Sequence, residues 1–278
     1  MVMKSKTMSF VGVAAVIFAV FLVFASGCVS PGEDIETITI AGSTTVLPVA
    51  QTIAEIYMDE HVTADIQISG GGSGVGVTAA KGGTADIGML SRELKDSEKE
   101  GSDLKEFVIA KDGIALIAHP SNTVSDLTLA QIKDIYQGKI TNWKELGGAD
   151  MEIVLIGRDS ASGTRSFFTE YVLDEEDAAK TMQEYSSNGA VQLAVAQTPG
   201  AIGYVSLEFV DDSVKAFTLS GIAPTVENVI NNTYGLNRPL LMITNGEPTG
   251  LAKMYLDFIL SAEGQEIIAD NGFVPVNV

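Results

Sequence analysis

Two periodicities alternate along this chain. Thr37 to Ala41 steps between polar and apolar and predicts a strand, after which Val46, Val49, Ala50, Ile53, Ala54 and Tyr57 recur at helical spacing. Val62, Ala64, Ile66 and Ile68 alternate again. Val75, Val77, Ala79 and Ala80 then enter a helix that Gly82-Gly83 stops, and Ala85 to Leu90 predicts a third strand. Phe107 to Ala110 and Ile114 to Ala118 read as two strands around a Lys111-Asp112-Gly113 turn. A helix follows from Leu129 to Tyr136, with Thr128 and Gln131 spaced as a capping box, and Gly147-Gly148 closes the Trp143 segment.

The second half repeats the alternation. Ile153-Val154-Leu155-Ile156 is an apolar run of strand length, and Phe167, Phe168, Tyr171 and Val172 mark a helix face that continues through the acidic Asp174–Lys180 stretch. Ala190 to Ala196 reads as helix, Ala201 to Val205 and Pro239 to Thr244 as strands, and Lys253 to Ile268 as one amphipathic helix. Strands alternating with helices predict parallel α/β sheets, with the loops at strand C-termini forming a ligand crevice.

The N-terminus is set apart. Lys4 and Lys6 precede an uncharged run from Phe10 to Phe24, and Ala25-Ser26-Gly27 leads into the only cysteine, Cys28. That run fits an export signal over residues 1–27 better than a membrane span. Small residues before a lone cysteine resemble a lipoprotein signal, with Cys28 lipidated after cleavage and 28–35 a polar tether. The protein is then expected outside the cytoplasmic membrane, anchored or periplasmic. A single cysteine permits no internal disulfide, so the fold must stand on its core.

Charge narrows the partners. The formal net charge is −19, and more negative still without the leader's two lysines. This argues against nucleic acid and against long-range steering of an anion. An anion would have to be held by local dipoles and hydrogen bonds.

Such groups recur at four predicted strand-to-helix turns: Gly42–Thr45, Ser69–Gly74, Ser91–Arg92 and Arg158–Thr164. A Ser/Gly/Thr turn opening a helix presents free backbone N–H groups at the positive end of the helix dipole. Arg158 adds a planar donor fork matched to a tetrahedral oxyanion. In a parallel sheet these turns share one edge, so their donors can converge. Other chemistries are poorly served. There is no G-x-x-x-x-G-K-[ST] loop, Gly71 to Val75 misses the G-x-S-x-G elbow, and His61 and His119 stand in turn-like settings. No zinc constellation is present, and no cofactor or metal is expected.

The motifs Ala41-Gly42-Ser43-Thr44-Thr45-Val46-Leu47-Pro48, Gly72-Ser73-Gly74, Asp86-Ile87-Gly88-Met89-Leu90-Ser91-Arg92, Gly138-Lys139-Ile140-Thr141-Asn142-Trp143, Arg158-Asp159-Ser160-Ala161-Ser162-Gly163-Thr164 and Thr198-Pro199-Gly200-Ala201-Ile202-Gly203-Tyr204 resemble the phosphate-binding proteins of phosphate-specific ABC transporters. The likeness runs in order over nearly all of residues 36–278. It implies a type II periplasmic-binding-protein-like α/β fold: two lobes joined by a two-segment hinge with the ligand in the cleft. Lobe 1 would comprise 36–112 and 221–278, and lobe 2 residues 113–220.

The resemblance implies a non-enzymatic receptor that takes up inorganic phosphate and delivers it to an ABC permease, as a monomer. By position, Thr44 would bind through hydroxyl and backbone, Thr45 through its backbone N–H, and Ser73 and Ser91 through their side chains. Arg158 would pair with the anion, and Ser162, Gly163 and Thr164 would supply helix-opening donors. Ser91 stands where some members carry an aspartate that accepts the proton of hydrogen phosphate. The acceptor role is then open among Ser91, Asp86, Asp112 and Asp159, and Arg92 is either a second cationic contact or a salt-bridge partner of Glu93 or Asp86. The alternatives are the same fold with another oxyanion (sulfate or molybdate), or a secreted phosphoester hydrolase using the same anion pocket.

Overall fold

The computed structural model describes residues 34–276. The expected signal 1–27, Cys28 and most of the tether therefore lie outside the described residues. No helix among the described residues is long and apolar enough to cross a membrane.

Strand β1 (Glu36–Gly42) leads into helix α1 (Leu47–Glu60), β2 (Ala64–Ser69) into α2 (Ser73–Gly82), and β3 (Ile87–Leu90) towards the short α3 (Asp96–Lys99). Pro48 sits in the first turn of α1, where its missing N–H costs nothing, and α2 ends on Gly83 in the left-handed conformation. β1 lies between β2 and β3, parallel to both. The ends that feed α1, α2 and Ser91 therefore sit along one edge.

β4 (Leu104–Ala118) is one continuous strand of 15 residues, where two strands and a turn were expected. β5 (Asp126–Leu127), α4 (Leu129–Tyr136), β6 (Val154–Arg158), α5 (Gly163–Tyr171), β7 (Gln183–Tyr185), α6 (Asn188–Gln197), β8 (Ala201–Ser206), β9 (Lys215–Ala216), β10 (Thr218–Leu219), α7 (Val226–Ile230), β11 (Asn237–Asn245), α8 (Gly250–Leu260) and α9 (Ala262–Asp270) follow. The main sheet runs β2-β1-β3-β11-β4-β8-β6-β7, with β9 against β4. β11 is antiparallel to β3 and β4, and β8 is antiparallel to β4. The all-parallel expectation thus holds for β1–β3 and β6–β8 but fails at the centre.

That centre explains why β4 does not turn at Lys111-Asp112-Gly113. Its first part pairs with β11, Asp112 opposite Arg238, and its last part, Ile114 to Ala118, pairs with β8. One apolar cluster packs α1, α8 and β1 around Ile40, Ile53, Ile109, Met242 and Tyr255. Another packs α4 and α5 around Ile114, Trp143, Phe168 and Tyr204, and it also takes Val229, Tyr234 and Leu236.

Two helix expectations are corrected. α5 stops at Tyr171, because Asp174 and Glu175 are left-handed (φ 52° and 65°), and Lys133 pairs with Asp174 and Glu176. The C-terminal helix is two, broken at Ser261, whose hydroxyl caps the Gly264 N–H at 3.2 Å.

Candidate functional site

The cradle is assembled from strand C-termini. After β1, Ser43 folds its hydroxyl back to accept the N–H of Thr45 at 3.1 Å and of Val46 at 3.4 Å. The Thr45 backbone N–H, expected to be a free donor, is therefore engaged by its own turn. After β2, Gly71 and Gly72 carry positive φ (140° and 94°) and swing the chain so that Ser73 opens α2. After β3, the Ser91 N–H donates to Ser73 Oγ at 3.0 Å, and the two hydroxyls stand 3.4 Å apart.

β6 delivers the other side. Ser162 caps α5, its hydroxyl accepting the Arg165 N–H at 3.2 Å. Gly163 faces the serine pair so closely that an added Cβ would run into Ser73 Oγ and lie 2.8 Å from Ser91 Oγ. The two sides also meet through backbone, the Gly74 N–H donating to Ala161 O at 3.0 Å.

Arg158 is 1% exposed. Its Nε donates to Tyr185 O at 3.2 Å, and its Nη2 donates to Ser186 O at 3.0 Å and to Thr44 Oγ1 at 3.1 Å. Among the described residues no carboxylate pairs with it. Burial pushes its pKa down to about 10, so it stays charged near neutral pH. A buried guanidinium without a counter-charge, facing helix openings, is arranged to receive an anion.

A second buried arginine went unnoticed in the sequence. Arg238, in the Asn237-Arg238-Pro239 entry to β11, donates to Asp112 Oδ2 from Nε (3.1 Å) and Nη2 (2.8 Å), to Thr164 Oγ1 from Nη1 (2.8 Å) and to Thr45 Oγ1 from Nη2 (3.2 Å). Asn188 Nδ2 also donates to Thr45 Oγ1, at 2.9 Å, and Ser206 Oγ donates to Asp112 Oδ1 at 2.8 Å. Burial pushes Asp112 up and Arg238 down, each opposed by the other's charge. A usable signal was present: the chain has only four arginines, and Arg238 stands with Pro239 directly before the apolar run Leu240 to Ile243.

The eight expected binding residues form one linked set. Thr44 touches Arg158, Ser73 touches Ser91 with Gly163 packed on both, Thr45 and Thr164 meet on Arg238, and Ser162 opens the same helix. The four further candidates are occupied elsewhere. Asp86 lies before β3 and accepts the Thr39 N–H at 2.7 Å and its hydroxyl at 3.1 Å. Asp112 is taken by Arg238 and Ser206, and Asp159 caps Ala161 N at 3.1 Å. Arg92 pairs with Glu98 through both Nη atoms at 2.7 Å, so its carboxylate partner is neither Glu93 nor Asp86.

The histidines stay local. His61 stacks on Tyr57, and His119 bonds Ser121. A cavity of about 1150 Å³ borders the site through Arg238 and is lined also by Lys111, Arg165, Phe167 and Tyr171.

The family model described as the PBP superfamily domain matches residues 29–263. The phosphate-binding protein PstS of Bacillus subtilis (strain 168) is 37% identical over 283 residues, covering 95% of this chain and 93% of its own. A phosphate ABC transporter substrate-binding protein of Clostridium perfringens, crystallised with bound phosphate, superposes with a TM-score of 0.84 at 45% identity, over 87% of this chain and all of the other. An ABC-type phosphate transport receptor from Vibrio cholerae reaches a TM-score of 0.73 at 34% identity over 86% of this chain and all of the other. With a family model over most of its length and a PstS relative covered almost end to end, the chain belongs to the PBP superfamily, within its family of PstS phosphate-binding proteins.

Proposed function

We propose that this protein captures inorganic phosphate in the Arg158 cradle and delivers it to an ABC permease, on the extracytoplasmic side of a membrane. The observation that carries this is the buried charge of Arg158, which has no carboxylate partner among the described residues and stands beside hydroxyls and helix openings from both sides. Thr44, Ser73, Ser91, Ser162 and Thr164 bind by side chain, and Gly163 by its backbone N–H at the α5 opening. Thr45 acts through its hydroxyl, since its N–H is held by Ser43. No bond is made or broken. Neither histidine belongs to this hydrogen-bonded set, which speaks for capture over ester hydrolysis.

The lobes divide on β4 near Asp112–Gly113 and again near Leu236–Arg238. The second crossing is put later than residue 220 because Val229, Tyr234 and Leu236 pack with the α4–α5 cluster. Cys28 anchors the mature, monomeric protein to lipid, and permease docking follows closure of the lobes over the anion.

The test is calorimetric titration of the purified full chain, stripped of anion, with phosphate, arsenate and sulfate. Tight phosphate binding that Arg158→Ala abolishes, with sulfate much weaker, supports the assignment. Equal binding of sulfate and phosphate overturns it in favour of a general oxyanion receptor, and turnover of a phosphate ester lost with Ser162→Ala overturns pure binding.

A further inference from the structure

Arg238 does not act on the anion as a free charge. It stands opposite Asp112 across the β11–β4 ladder, and that carboxylate takes two of its nitrogens. Asp112 is itself fixed by the Ser206 hydroxyl. The Ser206 N–H donates to Asn188 Oδ1 at 3.4 Å, Asn188 Nδ2 donates to Thr45 Oγ1, and Thr45 Oγ1 returns to Arg238. These five residues form a closed ring, joined at Ser206 through its backbone N–H as well as its hydroxyl, and each is no more than 2% exposed.

The two threonines belong to opposite sides. Thr45 precedes α1, whose apolar face packs in one cluster, and Thr164 lies in the first turn of α5, which packs in the other. One guanidinium anchored on the shared strands thus ties both helix openings together. It also sets the polarity of their hydroxyls. A hydroxyl has one proton and two lone pairs. Arg238 and Asn188 fill both lone pairs of Thr45, and Arg238 fills one of Thr164. The Thr45 proton can only be donated, and the Thr164 proton is biased the same way.

We propose that Arg238 is a positioning residue for anion binding: anchored by Asp112, it holds the α1 and α5 openings together and turns the Thr45 and Thr164 hydroxyls into donors. The proposal rests on the phosphate assignment above. Because Asp112 neutralises Arg238, the effect comes from geometry and not from added positive charge.

The test is a double-mutant cycle on the full chain, read as the phosphate dissociation constant, with thermal stability measured separately on every variant. Arg238→Gln and Arg238→Lys are each expected to weaken phosphate binding roughly tenfold, because neither can reach both threonines from Asp112. In a Thr45→Val/Thr164→Val background the same Arg238 changes are expected to cost less than about threefold, since the hydroxyls they act through are gone. An equal loss in both backgrounds, or wild-type affinity in Arg238→Lys, overturns the proposal. If the Arg238 variants do not fold, the two threonines decide it between themselves: single Thr45→Val and Thr164→Val losses that are coupled, the double variant losing clearly less than their product, support a shared positioning residue, and strictly additive losses or unchanged affinity overturn it. Wild type silent to phosphate overturns the assignment itself and this proposal with it, whereas wild-type binding with an additive cycle overturns only the role of Arg238.

Discussion

Arg158 and Arg238 are both 1% exposed and both reach a threonine of the α1 turn, yet they do opposite things. Arg238 has a carboxylate at 2.8 Å and sits in a ring of hydrogen bonds that closes without any ligand. Arg158 has only carbonyls and a hydroxyl, so its charge is solvated by dipoles but not neutralised. Burial therefore does not tell a neutralised charge from an open one. The presence of a counter-ion does. Arg92, paired with Glu98, falls with Arg238.

The largest effect that separates the two regions is on folding. Asp112→Asn leaves Arg238 buried and unpaired and is expected to cost about 3–5 kcal/mol in anion-free denaturant unfolding. Arg158→Met, which removes a charge that already lacks a counter-ion, should change the same quantity by less than about 1 kcal/mol. Equal losses would break the comparison.

Affinity should rank the variants the other way. Arg158→Met is expected to weaken phosphate binding about 100-fold or more in calorimetry, as expected for losing charge-assisted hydrogen bonds to the anion. Gly163→Ala removes no donor side chain, but its methyl must displace Ser73 and Ser91. An expected loss of about tenfold in affinity, beside an overpacking cost of about 1–3 kcal/mol in stability, would locate the contact between the two sides as the binding geometry. Ser91→Ala should cost about fivefold for phosphate and less for sulfate, because only phosphate brings a proton for the hydroxyl to accept.

The smallest effect sharpens the Arg238 region. Glu208 follows Ser206 by two residues, and burial together with the charge of Asp112 pushes its pKa up to about 8. The folded state then keeps a proton that the unfolded chain releases, so Glu208 lowers stability as pH rises from the ordinary carboxylate range through about 8. Glu208→Gln is expected to flatten that fall in melting temperature between about pH 5 and 8. An unchanged slope would assign it to other groups.

How much could be read in advance follows the range of each interaction. Thr44, Ser73 and the Arg158–Thr164 turn were legible because a hydroxyl or glycine at a strand-to-helix turn is a local signal, set by caps and helix dipoles within a few residues. The capping box of Thr128 and Gln131 was legible for the same reason, and it forms as expected. The Lys111-Asp112-Gly113 segment was misread. A charged triplet ending in glycine looks like a turn, and only its ladder partner 126 residues away keeps it extended. The acidic stretch after Tyr171 was misread likewise, its path set by left-handed Asp174 and Glu175 and by Lys133.

The sequence by itself determined the α/β alternation, the anion-ready turns and the permanently charged arginine at one of them, because periodicity, capping and permanent charge are properties of short segments. Only the tertiary structure decided which carboxylates are spent. Asp112, Asp86 and Asp159 look equivalent along the chain, and each is claimed by a different partner in space. A counter-ion's identity depends on distance across the fold, which no local pattern encodes, and that distance separates the arginine that has a carboxylate partner from the one that has none among the described residues.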